Sequence, residues 1–283
     1  MLDNQTKEQV LVEALPYIQR YEGSTFVIKY GGAAMTEEGL KQTFAKDVTI
    51  LRKIGINIVI VHGGGKEITA LAEQLQIPTR FVDGQRYTDE AMVDVVTMVL
   101  GGKLNKQIVN LINSNGGNAV GLTGADNMLL RARRFMPDGK DLGLVGEVTS
   151  VNTGFIDLLL KNSMMPVIAP ISVGENGEIY NVNADPAAGA IAAALKAEKL
   201  VYLSDIEGIK VHGRRVSTLT RTSSAKLIKE GAIFGGMIPK VTSAFDTLDA
   251  GVNKVHIIDG RVRHSLLLEI FTDAGIGTQM VHE

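Results

Sequence analysis

The run Thr25-Phe26-Val27-Ile28 is β-branched and aromatic, and it ends in Lys29 with Gly31 and Gly32 just beyond. Such a strand buries itself and delivers one cation into a turn of bare backbone. The pattern recurs where Ile56 to Val61 lead into His62-Gly63-Gly64-Gly65-Lys66. Two apolar strands that each open into glycines imply two loops at one edge of one sheet. Free backbone N–H groups there can hold phosphate or carboxylate oxygens. Neither familiar nucleotide fingerprint accounts for the glycines. GxxxxGK[ST] fails because Glu67 follows Lys66, and GxGxxG fails from Gly63 because Ile68 stands where its last glycine belongs. A dinucleotide-binding or Walker-type reading therefore lacks its main support.

The totals set wider bounds. At 283 residues the chain can form one large α/β domain or two smaller lobes. A net charge of −2 gives no global basic field, so no nucleic-acid partner is expected. Cysteine is absent, which excludes disulfides and cysteine metal sites, and the five histidines show no HExxH or paired ligand spacing. No metal site is expected in the protein itself. The opening Met-Leu-Asp-Asn-Gln-Thr-Lys-Glu is polar and mixed in charge, unlike a signal peptide, and no apolar run nears the ~20 residues that span a bilayer. A cytoplasmic soluble protein with no membrane contact is the expectation. Thirty-one glycines and no tryptophan fit an α/β protein rich in turns and helix caps.

Positioning these loops requires alternating strands and helices. Val10, Leu11, Ala14, Leu15 and Ile18 recur at helical spacing within 3–21, where Pro16 is expected to kink or break the helix. The sheet does not need this stripe. It packs on its own subunit or forms an arm that docks on a neighbour. Helices over 36–54 and 66–75 alternate with the first two strands, which implies a parallel sheet covered by helices. Asp83-Gly84 within 81–87 is a turn between two strands, and 88–113 is a long helix containing Gly101-Gly102. A strand over 117–122 follows. The segments 129–135 and 144–151 flank Pro137-Asp138-Gly139 and read as a hairpin, a flap over the sheet's edge. Next come a helix at 153–162, one buried strand at 165–173, and a helix at 186–197 begun by Pro186 after an Asp185 cap. A strand at 200–204, helices at 223–230 and 239–250, and a last clear strand at 254–258 complete the pattern.

Six motifs occur in order: Lys29-Tyr30-Gly31-Gly32, His62-Gly63-Gly64-Gly65, Gly121-Leu122-Thr123-Gly124-Ala125-Asp126, Asn181-Val182-Asn183-Ala184-Asp185, Leu203-Ser204-Asp205-Ile206-Glu207-Gly208 and Gly235-Gly236-Met237-Ile238-Pro239-Lys240. None is specific alone. The ordered set closely resembles the amino acid kinase family, in particular its branch acting on N-acetylglutamate, across essentially the whole chain.

The resemblance implies a three-layer αβα sandwich with an open, mainly parallel sheet in two lobes. Residues 25–190 would bind the phosphoryl acceptor and 191–283 ATP, with 1–24 an N-terminal helical arm. It implies that Lys29 and Lys240 neutralise a transferring phosphoryl group while Asp185 orients both. Gly64, Gly65, Arg86 and Asn181 would bind the acceptor, Arg86 by gripping its α-carboxylate, with Asn183 nearby. Gly31, Gly32, Asp205, Gly208, Gly236 and Met237 would serve the nucleotide. Without the resemblance, Lys240 is a solvated charge, Arg86 a loop arginine, Asp185 a helix cap and Glu269 a surface residue. The implied reaction converts ATP and N-acetyl-L-glutamate to ADP and N-acetyl-L-glutamyl 5-phosphate, a step of arginine biosynthesis, with Mg²⁺ arriving on ATP. The nucleophile is already ionised at neutral pH, so no general base is required.

The segment Leu15 to Tyr21 resembles the arm that links dimers into a ring-shaped hexamer, a trimer of dimers, in arginine-inhibited members. The tail 264–278 resembles their arginine-binding segment, through Glu269, Gly275 and Gly277. A homo-oligomer inhibited by arginine is therefore expected, and a P-II-type signalling protein stays open as a partner. The alternatives are an aspartate kinase-like relative, whose Lys-Phe-Gly-Gly-Thr-Ser differs from Lys-Tyr-Gly-Gly-Ala-Ala here, and a non-catalytic arginine sensor, which would be expected to lose Lys29, Lys240 or Asp185.

Overall fold

The computed structural model describes residues 3–211, 213–235, 237–272 and 275–283. Helix α1 (Asn4–Tyr21) leads into β1 (Thr25–Tyr30), a 3₁₀ turn (Gly32–Met35), α2 (Glu38–Lys53), β2 (Asn57–His62) and α3 (Gly65–Gln74). A small hairpin, β3 (Phe81–Val82) and β4 (Gln85–Arg86), precedes α4 (Glu90–Thr97), a π-helical stretch (Met98–Leu104) and α5 (Asn105–Ser114). Then come β5 (Ala119–Thr123), β6 (Leu130–Arg134), β7 (Val145–Val151), α6 (Thr153–Lys161), β8 (Met165–Ala169), β9 (Ile171–Val173), β10 (Ile179–Val182) and α7 (Ala184–Ala194). The remainder is β11 (Lys199–Ser204), β12 (Lys210–Val211), β13 (Arg214–Arg215), β14 (Thr218–Leu219), α8 (Arg221–Lys229), α9 (Met237–Asp249), β15 (Lys254–Asp259), α10 (Ser265–Ile270) and β16 (Thr278–Met280).

Eight strands form the main sheet in the order β14-β16-β15-β11-β1-β2-β8-β5. Every neighbouring pair is parallel except β15 with β16. Side-chain alternation sorts each strand into two cores. Phe26, Ile28, Ile58, Ile60 and Val201 face α2 and its Phe44, Val48 and Leu51. Val27, Val59, Val61 and Leu200 face the other way, against Ile156 of α6, Ile191 of α7 and Phe245 of α9. Helices on both faces of a mainly parallel sheet make the three-layer sandwich that the family resemblance implied. Lys29, two residues beyond Val27, falls on the α7 and α9 side.

Some local expectations are corrected. The expected single strand 165–173 is two. Pro170 has no N–H for the ladder, so β8 ends at Ala169 and β9 joins β6, β7 and β10 in a closed four-stranded barrel. The expected hairpin exists as antiparallel β6 and β7, but as part of that barrel and not as a free flap. Helix α1 runs through Pro16 as one element. The carbonyl four residues before Pro16 belongs to exposed Val12, where water can replace the lost bond. The expected helix 88–113 starts later, at Glu90, because Asp89 accepts the Met92 N–H as its cap, and it is interrupted by the π stretch holding Gly101 and Gly102. A strand follows β15 after all: β16 pairs antiparallel with it through Val255–Ile257, too short a run to signal itself. Among the described residues no helix is long and apolar enough to cross a membrane.

Ile28 lies on the strand between β11 and β2 with no exposed surface. Ile28→Ala is expected to cost about 2–5 kcal/mol of unfolding free energy, measured by urea titration with an unchanged m-value.

Candidate active site

Three charged side chains from three elements meet above the carboxyl ends of the strands. Lys29 comes from β1, Asp185 from the first turn of α7 and Lys240 from the first turn of α9. Lys29 Nζ lies 3.0 Å from Asp185 Oδ1 and Lys240 Nζ 3.3 Å from Oδ2, so one carboxylate holds both cations. Burial raises the carboxyl's pKa, but the two ammonium groups outweigh it and keep the acid below its usual range. Asp185 is free for this task because it is not the helix cap that its position before Pro186 predicts. Asn183 caps α7, accepting the Asp185 N–H at 3.0 Å, which also gives the loosely assigned Asn183 a definite structural role.

The triad stands between two cavities. One of about 300 Å³ is lined by Lys29, Gly31, Gly32, Gly64, Gly65, Arg86 and Asn181. The other, about 400 Å³, is lined by Asp185, Pro186, Tyr202, Lys240 and Ser243. Gly84 and Gln85 of the β3–β4 hairpin and Asn183 border both. Lys140 anchors the hairpin through Asp83 at 2.6 Å.

The first cavity is built for an anion. Helix α3 points its N-terminus at it from Gly64, and the unsatisfied N–H groups of that first turn carry partial positive charge. Arg86 is nearly buried, stacks on Phe81 at 4.9 Å, and donates through Nη2 to Gly65 O at 2.9 Å and Thr69 Oγ1 at 2.8 Å. Its Nη1 is buried with no hydrogen-bond partner among the described residues. An orphaned guanidinium donor in a polar cavity fits a carboxylate ligand. Asn181 Nδ2 donates to Thr88 Oγ1 at 3.1 Å, which fixes the amide at the cavity wall. A Cβ on Gly64 would lie 2.7 Å from Leu100 Cδ2 and closer still to Leu104, both in the π stretch, so those side chains would have to move.

The residues expected to serve a nucleotide are placed less directly. Asp205 accepts the Ala33 N–H, tying the loop after β11 to the first glycine turn beside Gly32. Gly208 is buried against Thr278, and Met237 packs on the α7 core at the start of α9. Neither borders the two cavities described above, and Gly236 lies outside the described residues.

Glu269 is far from being a surface residue. Its Oε1 takes a hydrogen bond from His256 Nδ1 at 2.6 Å, and Oε2 accepts the N–H groups of Ile276 at 2.6 Å and Gly277 at 3.0 Å. Gly275 lies against the same carboxylate. Burial raises the Glu269 pKa, but these donors hold it low. A third cavity of about 440 Å³ opens here, bordered by Tyr17, Arg20, Lys199, His256, Glu269 and Gly277. Burial pushes the Lys199 ammonium down to about 8, against the pull of Glu269 and Glu198.

Two polar residues escaped sequence reasoning. Asn105 and Tyr202 are both buried, Asn105 against His62 and Tyr202 with its hydroxyl 3.4 Å from the Asp185 carbonyl. Asn105 stands three residues beyond Gly102 among Lys103, Lys106, Gln107 and Asn110, so the sequence does not single it out. Nothing in a strand pattern marks the second.

A model of the amino acid kinase family matches residues 24–259, and the chain belongs to that family. The curated acetylglutamate kinase of Chlorobaculum tepidum is 58% identical over 274 residues, covering 97% of this chain and 96% of its own. That of Chlorobium limicola is 57% identical over 275 residues, covering 97% and 90%. At this likeness the chain falls within the acetylglutamate kinase branch: it is a phosphotransferase with a carboxyl group as acceptor. Among solved structures, N-acetylglutamate synthase from Neisseria gonorrhoeae, complexed with coenzyme A and N-acetyl-glutamate, matches with a TM-score of 0.85 at 27% identity. That match covers 97% of this chain and 63% of the longer synthase. Carbamate kinase from Giardia lamblia bound to AMP-PNP matches with a TM-score of 0.65 at 19% identity over 92% of this chain and 99% of its own, a likeness of fold alone.

Burial lowers the His62 pKa from 6.5 to about 4, so the folded protein binds fewer protons than the unfolded chain between those values. Stability should therefore fall as pH drops from about 6.5 to about 4, by up to on the order of 3 kcal/mol. Denaturant titrations across that range, compared with His62→Asn, should show a smaller loss in the variant.

Proposed function

We propose that this chain catalyses ATP-dependent phosphorylation of the side-chain carboxylate of N-acetyl-L-glutamate, giving N-acetyl-L-glutamyl 5-phosphate for arginine biosynthesis. The observation that carries the reading is one carboxylate, Asp185, clamped by Lys29 and Lys240 beside a cavity where Arg86 holds an unpartnered donor. In this reading the side containing 25–190 takes the acceptor and 191–283 takes ATP. Arg86 receives the α-carboxylate, with Asn181 beside it. The acceptor's ionised side-chain oxygen attacks the γ-phosphorus. A new O–P bond forms as the bond to the bridging β,γ-oxygen breaks, and ADP leaves with that electron pair. No proton moves.

Lys29 and Lys240 meet the charge spread over the transferring oxygens, and Asp185 fixes where they stand. Asp205, Gly208, Gly236 and Met237 belong to the nucleotide side. The residues of the cleft do not form a metal seat: both Asp185 oxygens are engaged by lysines, and the described residues contain no cluster of three His, Asp or Glu that could hold an ion. Mg²⁺ then enters as part of the substrate MgATP.

The third cavity supports a regulatory reading. L-Arginine would place its guanidinium or amine on the ionised Glu269, with the Gly275 and Gly277 backbone beside it. Because Tyr17 and Arg20 border this cavity, the position of α1 is coupled to it. Exposed Val12 and Leu15 on that helix suit an arm docked on a second subunit in a hexamer of linked dimers. A P-II-type protein is a further partner to test against that assembly.

ATP-dependent hydroxamate formation tests the reaction with N-acetylglutamate, glutamate and aspartate as rival acceptors. N-acetylglutamate should be preferred, and Lys29→Ala or Lys240→Ala should lower kcat about 10²–10³-fold in folded protein. Arg86→Lys should mainly raise the acceptor KM, since lysine cannot present a fork. Activity on all three acceptors alike, or full activity in both lysine variants, would refute the assignment. Deleting residues 1–20 should leave dimers with weakened arginine inhibition, read by sedimentation and by the same assay. Unchanged hexamers would remove the arm from the account.

A further inference from the structure

We propose that His62 and Asn105 are positioning residues for the transfer: they lock the peptide plane between Gly63 and Gly64 so that the Gly64 N–H is presented to the cavity beside Lys29. The inference rests on reading that cavity as the phosphoryl-transfer site.

The hydrogen bonds leave one arrangement. His62 closes β2 with no exposed surface, and its Nδ1 lies 3.0 Å from Gly63 O. A carbonyl oxygen can only accept, so Nδ1 carries the hydrogen. Nε2 must then accept, and Asn105 Nδ2 stands 3.2 Å away to donate. The Asn105 amide is oriented independently. Its Nδ2 also faces Val167 O at 2.8 Å and Leu122 O at 3.1 Å, so two N–H bonds serve three acceptors and the one toward His62 Nε2 is shared with a carbonyl, while its Oδ1 takes the Lys106 ammonium at 3.2 Å. Flipping the amide would set oxygen against two carbonyls. Asn105 is itself wholly buried, and it fits because position 121 is glycine: a Cβ there would overlap Asn105 Oδ1. It is also the first residue after the π stretch, and that wider turn sets which way the following side chain points.

The consequence falls on the loop. All described peptide bonds are trans, so an amide's C=O and N–H point opposite ways. With Gly63 O turned to the His62 ring, the Gly64 N–H is turned away from it. No described group accepts that N–H, and Gly64 borders the cavity with Lys29. Two consecutive glycines have no side chain to hold the plane between them. A donor to a transferring group contributes only if it is oriented beforehand. Burial keeps the ring neutral down to about 4, so the acceptor at Nε2 persists through ordinary pH.

Three variants separate a strut from a core filler. His62→Asn keeps a donor where Nδ1 stood, His62→Gln keeps a polar group only where Nε2 stood, and His62→Phe keeps neither. For the folded variants, kcat and both KM values would be measured with melting temperature and with the Gly64 amide resonance in ¹⁵N-glycine protein. We expect His62→Asn within about tenfold of the parent kcat, and His62→Gln and His62→Phe about 10²-fold lower with KM values within about threefold. The Gly64 resonance should hold its place in His62→Asn and move in His62→Gln. Losses that follow melting temperature alike in all three, or a folded His62→Phe with parental kcat, would overturn the proposal. If His62→Phe does not fold, the Asn and Gln pair still decides. A parent enzyme inactive on N-acetylglutamate would sink the functional reading, while the Gly64 resonance would still judge the strut.

Discussion

Two ammonium groups share one carboxylate at the centre of this molecule. Lys29 and Lys240 repel one another and would separate in water. Asp185 holds them within 3.0 and 3.3 Å of its two oxygens, so the cluster keeps a net positive charge at a fixed place. Held in place this way, the two cations need not be gathered when an anion arrives. The three residues come from three elements. The constraint on the fold is therefore that β1, α7 and α9 present their ends to one point.

The sheet meets that constraint by layering. Alternation along β1 sends Phe26 and Ile28 into one core and Val27 toward the other, and Lys29 follows Val27 to the side where α7 and α9 lie. Asn183 completes the arrangement by taking over the cap of α7, which releases Asp185 from backbone duty. The Tyr30 ring stacks on Phe44 at 3.8 Å and its hydroxyl donates to Ala34 O at 2.7 Å, so even the turn after Lys29 is tied to the core beneath. Rigidity at the site is inherited from packing several residues away.

Away from the cleft, a second polar cluster shows the same economy of design. Glu269 joins β15, through His256, to the backbone leading into β16. Arg215 of β13 donates to Ile276 O and so ties β13 to the segment leading into β16. The cavity at this junction touches α1, α10 and the sheet edge. Helix α1, with exposed Val12 and Leu15, and the buried ionised Glu269 border one cavity.

Much of this was legible along the chain. The strand-then-lysine-then-glycine pattern, the two glycine loops, the helix–strand alternation and the six ordered motifs are local features, because each depends on side-chain type and short spacing. Lys29 and the glycines stood out on those grounds, whereas Asp185 and Arg86 were singled out only through the family resemblance. Tertiary contacts decided the rest. They gave the cap to Asn183 in place of Asp185, broke 165–173 at Pro170 so that β9 could enter a barrel, and buried Glu269 on His256. The His62–Asn105 bond joins residues far apart in sequence, across a π turn that no periodicity announces. The amino-acid order fixed which groups were available, since backbone propensity and side-chain chemistry act within a few residues. Which groups meet was settled by packing, because burial and hydrogen-bond satisfaction are properties of neighbours in space.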